Sequence, residues 1–126
     1  MSLARSLLLS DASGITFLGA TTLADSGSLS LPGGLQEDDF VIVGVGTDLA
    51  VTLTLPSGWT SASVASGGTP SNRVFYKKMT SSPDTSVTIA DDATTPEGSV
   101  AMAFRGVDTT TPLDVAVTTA SGATGD

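Results

Sequence analysis

The sequence predicts an all-β chain: a single antiparallel β-sandwich or jelly-roll-like domain preceded by a short N-terminal arm. Three observations carry that expectation. Short segments alternate apolar and polar residues with period two, those segments are rich in Val, Ile and Thr, and turn residues separate them about every ten positions. The spacing of Gly and Pro after residue 15 leaves no room for a helix, and only Leu3 to Leu9 could form one short helical turn.

The elements follow in order. "GITFL" sets Ile15 and Phe17 on one face, and "GSLSLPGG" alternates Leu29 and Leu31 with serines before a Pro-Gly-Gly turn. "FVIVGVGT", Phe40 to Thr47, is a continuous apolar run. "VTLTLPSG" alternates cleanly, with Val51, Leu53 and Leu55 inward and Thr52 and Thr54 outward. "RVFYKKM", "TSVTIA" and "SVAMAFRG" follow, and "LDVAV" is a weaker final candidate. The domain is expected over 15–118, with an arm over 1–14 and a polar, small-residue tail over 119–126.

The only tryptophan stands in "LPSGWTS", just past a tight turn. Pro56 sets its own φ and Gly58 tolerates a positive one. Trp59 then starts the next strand and is expected to plug a core otherwise built of Val, Ile, Leu and Ala. A sugar-stacking platform is the functional alternative. Only Tyr76 and the single Asn72 stand ready to assist it, so Pro56, Gly58 and Trp59 are read as structural.

Composition narrows the partners. The 126 residues carry 13 acids against 5 bases, a net charge of −8. Such a chain does not attract phosphate backbones or anionic lipid, so nucleic-acid and membrane partners are not expected. The bases Arg73, Lys77, Lys78 and Arg105 are too few for a basic groove. With no Cys there is neither a disulfide framework nor a thiolate metal site. No apolar run reaches the ~20 residues of a membrane helix. "MSLARSLLLS" is too short in its apolar part, and lacks the cleavage pattern, to read as a signal peptide.

Few constellations could carry chemistry. Without His or Cys, no Ser-His-Asp or Cys-His arrangement can be assembled. No phosphate-binding loop, dinucleotide fingerprint or zinc spacing is present. Two carboxylate groups remain, Glu37, Asp38 and Asp39 in "QEDDF" and Asp91, Asp92 and Glu97 in "DDATTPEG". They could serve glycoside hydrolysis across a cleft or bind Ca²⁺, but Asp beside Gly or Pro more often builds turns. No catalytic residue, cofactor or metal is therefore assigned. In "RVFYKKM", Phe75 and Tyr76 face opposite ways and cannot form one base-stacking platform. Val74 goes with Tyr76, and Phe75 goes with Met79.

Two strands are apolar on both faces. Val41, Val43 and Val45 oppose Phe40 and Ile42, and Ala101 and Ala103 oppose Val100, Met102 and Phe104. A sheet wet on one side should alternate instead, so the second face is expected to be covered by a loop or another protein.

The segments "LPGGLQEDDFVIVGV", "TLPSGWTS", "RVFYKKM" and "AFRGVDTTTPLD" together resemble a recurrent β-rich domain of tailed-bacteriophage virion proteins, over roughly Ile15 to Thr118. The resemblance implies a virion location and no enzymatic activity. The function expected from it is capsid decoration or cementing on the phage head surface. The alternatives are a tail or head-fibre component that binds host glycan, or a secreted bacterial glycan-binding or hydrolytic domain. The expected partners are the major capsid or tail protein and further copies of the chain, a trimer by analogy with decoration proteins. Domains of that kind run on past "PLD", so an unpaired edge is expected over Leu113 to Val117, with Val115 and Val117 as contacts. Leu3, Leu7, Leu8 and Leu9 of the arm are expected to reach a neighbouring subunit.

Overall fold

The computed structural model describes residues 14–24, 27–47, 53–65, 71–91 and 98–115. They contain eight strands: β1 (Thr16–Leu23), β2 (Gly27–Ser30), β3 (Phe40–Thr47), β4 (Leu53–Thr54), β5 (Thr60–Ala65), β6 (Ser71–Lys78), β7 (Ser86–Asp91) and β8 (Gly98–Arg105). The all-β class follows directly, for no helix occurs among the described residues. β3 covers the apolar run from Phe40 to Thr47. β1 is longer than "GITFL" and continues through the threonines to Leu23. β5 begins one residue after Trp59, which belongs to the preceding turn.

Every pairing is antiparallel. A five-stranded sheet runs β1-β8-β3-β6-β5 and a three-stranded sheet runs β2-β7-β4. The pairs β1–β8, β2–β7 and β3–β6 nest inside one another, as in a long hairpin wound onto itself. That nesting is compatible with the expected jelly-roll-like sandwich. β5 departs from it by extending the larger sheet beside β6.

The two sheets share one hydrophobic cluster. β3 contributes Val41, Val43 and Val45, and β8 contributes Ala101 and Ala103. Phe75 and Met79 come from β6 and the residue just past it, while Leu29, Leu31, Val87 and Ile89 come from the smaller sheet and its margin. Ala101 stands between Val43 and Thr21, and Ala103 between Val41 and Gly19, small residues beside valines in a close-packed layer. Burying this set supplies the main stabilisation, at roughly 25 cal/mol per Å² of apolar surface.

Trp59 completes the cluster at 7% exposure, its ring and that of Phe75 perpendicular with centroids 5.3 Å apart. The Trp59 amide donates to the Pro56 carbonyl at 3.2 Å, closing a turn in which Gly58 takes φ +81°. Leu55 packs against the cluster from the same segment. Val51 and Thr52 lie outside the described residues.

Leu113 to Val115 do not continue the expected last strand. They run as bends and join neither sheet, and Val115 is 74% exposed. The edges of the sheets are instead β1, β5, β2 and β4. Pro112 and the Asp108 turn before it redirect the chain away from β8. Asp108 accepts the amides of Thr110 and Thr111 and the Thr111 hydroxyl.

Candidate interaction surface

Strand alternation sends one set of side chains from the larger sheet into the core and the other set outward. Register fixes which residues stand side by side on the outward face. Phe17 of β1, Phe104 of β8, Phe40 of β3 and Lys78 of β6 make one row. Ala20, Met102, Ile42, Tyr76 and Thr60 make the next, and Thr22, Val100, Gly44 and Val74 a third. Gly98, Gly46 and Asn72 follow.

Aromatic rings dominate the first row and reach the second at Tyr76. The Phe17 and Phe104 rings lie 5.5 Å apart, and Phe40 and Tyr76 5.1 Å apart. Phe40 is nearly buried by its neighbours although it belongs to the outward set. Ile15 and Phe17, at 64% and 57% exposure, open this face at the β1 margin. Further along, Gly44, Gly46 and Gly98 form the floor of a shallow depression of about 480 Å³, flanked by Val74, Val100 and Asn72.

Charge is segregated in the same way. No strand of the larger sheet contains an Asp or Glu, yet four of the five bases stand in it. Of these only Lys78 faces outward at the margin of the surface, where it meets Asp38 at 3.3 Å. Among the described residues this face is thus apolar and free of acids on a chain of net charge −8, the composition that contact surfaces tend to have.

The acidic groups do other work. Asp39 is 1% exposed, and its carboxylate accepts from Arg105 Nε and Nη2, both at 2.7 Å, and from the Gln36 amide at 2.7 Å. The Arg105 guanidinium, more than burial can oppose, holds the Asp39 carboxyl below its ordinary pKa. Asp38 takes φ +68° and its amide donates to the Met79 carbonyl, so the turn clamps the start of β3 to the end of β6. Glu37 is exposed. Asp91 ends β7, and Asp92 and Glu97 lie outside the described residues. Among the described residues no three acids come together as a metal site.

A second depression, of about 470 Å³, runs past Pro56, Trp59, Lys77, Asp84 and Thr88. Here Lys77 and Asp84 pair at 2.7 Å. Trp59, at 7% exposure, offers little surface to it.

Pro56, Gly58 and Trp59 thus form a turn and its core anchor, far from the outward face in role. Val115 is exposed on its bend, whereas Leu3, Leu7, Leu8, Leu9 and Val117 lie outside the described residues. The Asp39–Arg105 pair is the polar feature that residue patterns missed. One Asp of an acidic triplet before an apolar run and a lone Arg after another give no sign that 66 residues apart they will meet. No family model, curated protein or solved structure matches this chain.

Proposed function

We propose that the chain is a non-catalytic structural protein of a tailed-phage particle, a decoration or cement module on the head surface. The observation that carries this reading is the acid-free apolar face of the five-stranded sheet, which offers contact area and no reactive group. The motifs behind the virion resemblance point the same way, because their residues serve the framework. Asp39 and Arg105 lock two strands, Trp59 and Gly58 make a turn and its plug, and Asp108 organises the turn after β8. A partner surface on the major capsid or tail protein would meet the face without chemistry. Association of copies, a trimer by analogy, belongs to the same proposal.

Mass spectrometry of washed particles, followed by cryo-electron microscopy, tests it. Many copies seated on the head are expected. Copies confined to a fibre or tail tip would move the chain to the tail-component reading, and its absence from washed particles would overturn the virion reading.

A further inference from the structure

The outward face of the five-stranded sheet tapers. On β8 its residues run Gly98, Val100, Met102, Phe104, and on β3 they run Gly46, Gly44, Ile42, Phe40. β6 follows with Asn72, Val74 and Tyr76. Register sets these three strands side by side, so small residues share one end of the face and rings the other. The glycine end is the depression of about 480 Å³, and at the ring end Ile15 and Phe17 stand exposed.

The fold itself does not require these glycines. Gly44, Gly46 and Gly98 all lack positive φ. A Cβ at Gly46 would meet nothing within 4 Å, and at Gly44 and Gly98 it would make ordinary contacts of 3.7 and 3.8 Å. Glycine inside a strand weakens it, and often marks a place where something else approaches the backbone closely.

A second copy of the chain fits this taper. Take a twofold axis lying in the face, across the strands, between the Ile42 row and the Gly44 row. It turns the ring end of one copy onto the glycine end of the other and keeps the strand order, so β8 lies over β8 and β3 over β3. Phe104 then meets Gly98 of the second copy, Met102 meets Val100, and Ile42 meets Gly44. Two tapers opposed in this way make a layer of even thickness, as sheets stacked about 10 Å apart require. Sheet twist crosses the two strand directions by about 30°, so the match is closest on the central strands.

Size and charge suit the same occupant. Four outward rows of four or five positions each, at about 33 Å² per position, give roughly 600 Å² in projection. The accessible surface of rings and branched side chains exceeds their projection. The face therefore reaches the scale of the ~800 Å² that each partner gives to a standard interface. Each copy carries a net charge of −8, and the strands of this sheet bring no acid between the two. The outward base Lys78 falls opposite the neutral Asn72 of the second copy. A different macromolecule would need a matching taper of its own, whereas a second copy has it by symmetry.

We propose that two copies of the chain pair face to face through this sheet, the ring end of each seated on the glycine trough of the other. The proposal rests on reading the face as a contact surface, and not on a particle as partner. Paired copies have the face covered, so a particle component competes with the second copy for it.

Light scattering on the full chain over a dilution series is expected to give twice the 12.5 kDa monomer mass at high concentration. Gly46→Val fills the trough at a position where the fold has room. It is expected to weaken dimerisation by roughly tenfold or more, with a monomer melting temperature at or above wild type. The absence of cysteine supplies a second measurement that does not depend on that variant. Asn72 and Lys78 are both exposed, so cysteine at either leaves the core intact. Copies carrying Asn72→Cys mixed with copies carrying Lys78→Cys are expected to join through a short bifunctional maleimide, and Lys78→Cys copies alone are not. A monomer at every concentration, a trimer, or a dimer untouched by Gly46→Val would overturn the proposal. So would equal joining in the mixture and in Lys78→Cys alone, or none in the mixture. A dimer whose chain is absent from washed particles keeps this pairing and removes the virion reading, while a particle-borne chain that stays monomeric does the reverse.

Discussion

Arg105 closes on Asp39 through two parallel hydrogen bonds of 2.7 Å, and its Nη2 also reaches the Gly34 carbonyl at 3.3 Å. One guanidinium therefore ties the end of β8 to the entry of β3 and to the Pro-Gly-Gly turn before it. Such a fork is geometrically specific, because only a planar donor pair matches a carboxylate in this way. Asp39→Ala is expected to lower stability by roughly 2 kcal/mol, the scale of hydrogen bonds to a charged group. Arg105→Lys should not restore the loss that Arg105→Ala produces, since an ammonium cannot make both bonds. Urea unfolding of the three variants checks both statements. An Arg105→Lys midpoint equal to wild type would refute the bidentate role.

The same pair sets a pH dependence. The Asp39 carboxyl lies below its ordinary value of 3.8, with the Arg105 hydrogen bonds as the chief cause. A carboxyl depressed in the folded state contributes stability that is complete above the ordinary value and is lost as pH falls through the folded one. Asp108 is depressed in the same direction by the amides of Thr110 and Thr111, but in an exposed turn. Stability should thus be flat near neutrality and fall below about pH 4. Asp39→Asn should flatten that acid limb more than Asp108→Asn. Urea midpoints across an acid pH series read the difference.

Trp59 reports on the core from the turn that holds it. Trp59→Ala is expected to cost about 3–5 kcal/mol, as truncation of a buried aromatic does. Trp59→Phe should recover much of that loss, because Phe75 would keep an aromatic neighbour. As the only tryptophan, Trp59 should emit at short wavelength in the folded chain and shift red in one transition on unfolding. Emission already red in the folded chain would contradict its burial.

Gly58 tests the turn separately from the core. Its φ of +81° disfavours any side chain, although a Cβ there would meet only the flexible end of Lys77 at 3.6 Å. Gly58→Ala should therefore cost about 1–2 kcal/mol from backbone conformation alone. Gly46→Ala, with ordinary φ and open space, lacks that penalty. Thermal unfolding of the two variants separates them.

Metal removal should have no effect on the acidic turn. Asp39 is engaged by Arg105 and Gln36, and Asp38 meets Lys78. The melting temperature is expected to be the same with EDTA as with added Ca²⁺. A drop on chelation would return the calcium reading of "QEDDF".

Local pattern in the sequence determined the strands and their class. Period-two alternation and β-branched content mark β3 from Phe40 to Thr47 because each inward valine must be buried, and that demand is written in adjacent residues. It also marked the two strands apolar on both faces. In "LDVAV" the described Leu113 to Val115 form no strand, because the Asp108 turn leads them away from the sheets and apolar residues do not make a strand without a neighbour to pair with, while Ala116 and Val117 lie outside the described residues. Tertiary structure alone decided which strands are neighbours. It set β8 between β1 and β3, moved β5 to the larger sheet, and gathered Phe17, Phe104, Phe40 and Tyr76 from four strands onto one face. It also brought Asp39 to Arg105. Long-range pairing follows from how both sheets bury their apolar sides at once, a condition on the whole chain that no short stretch contains.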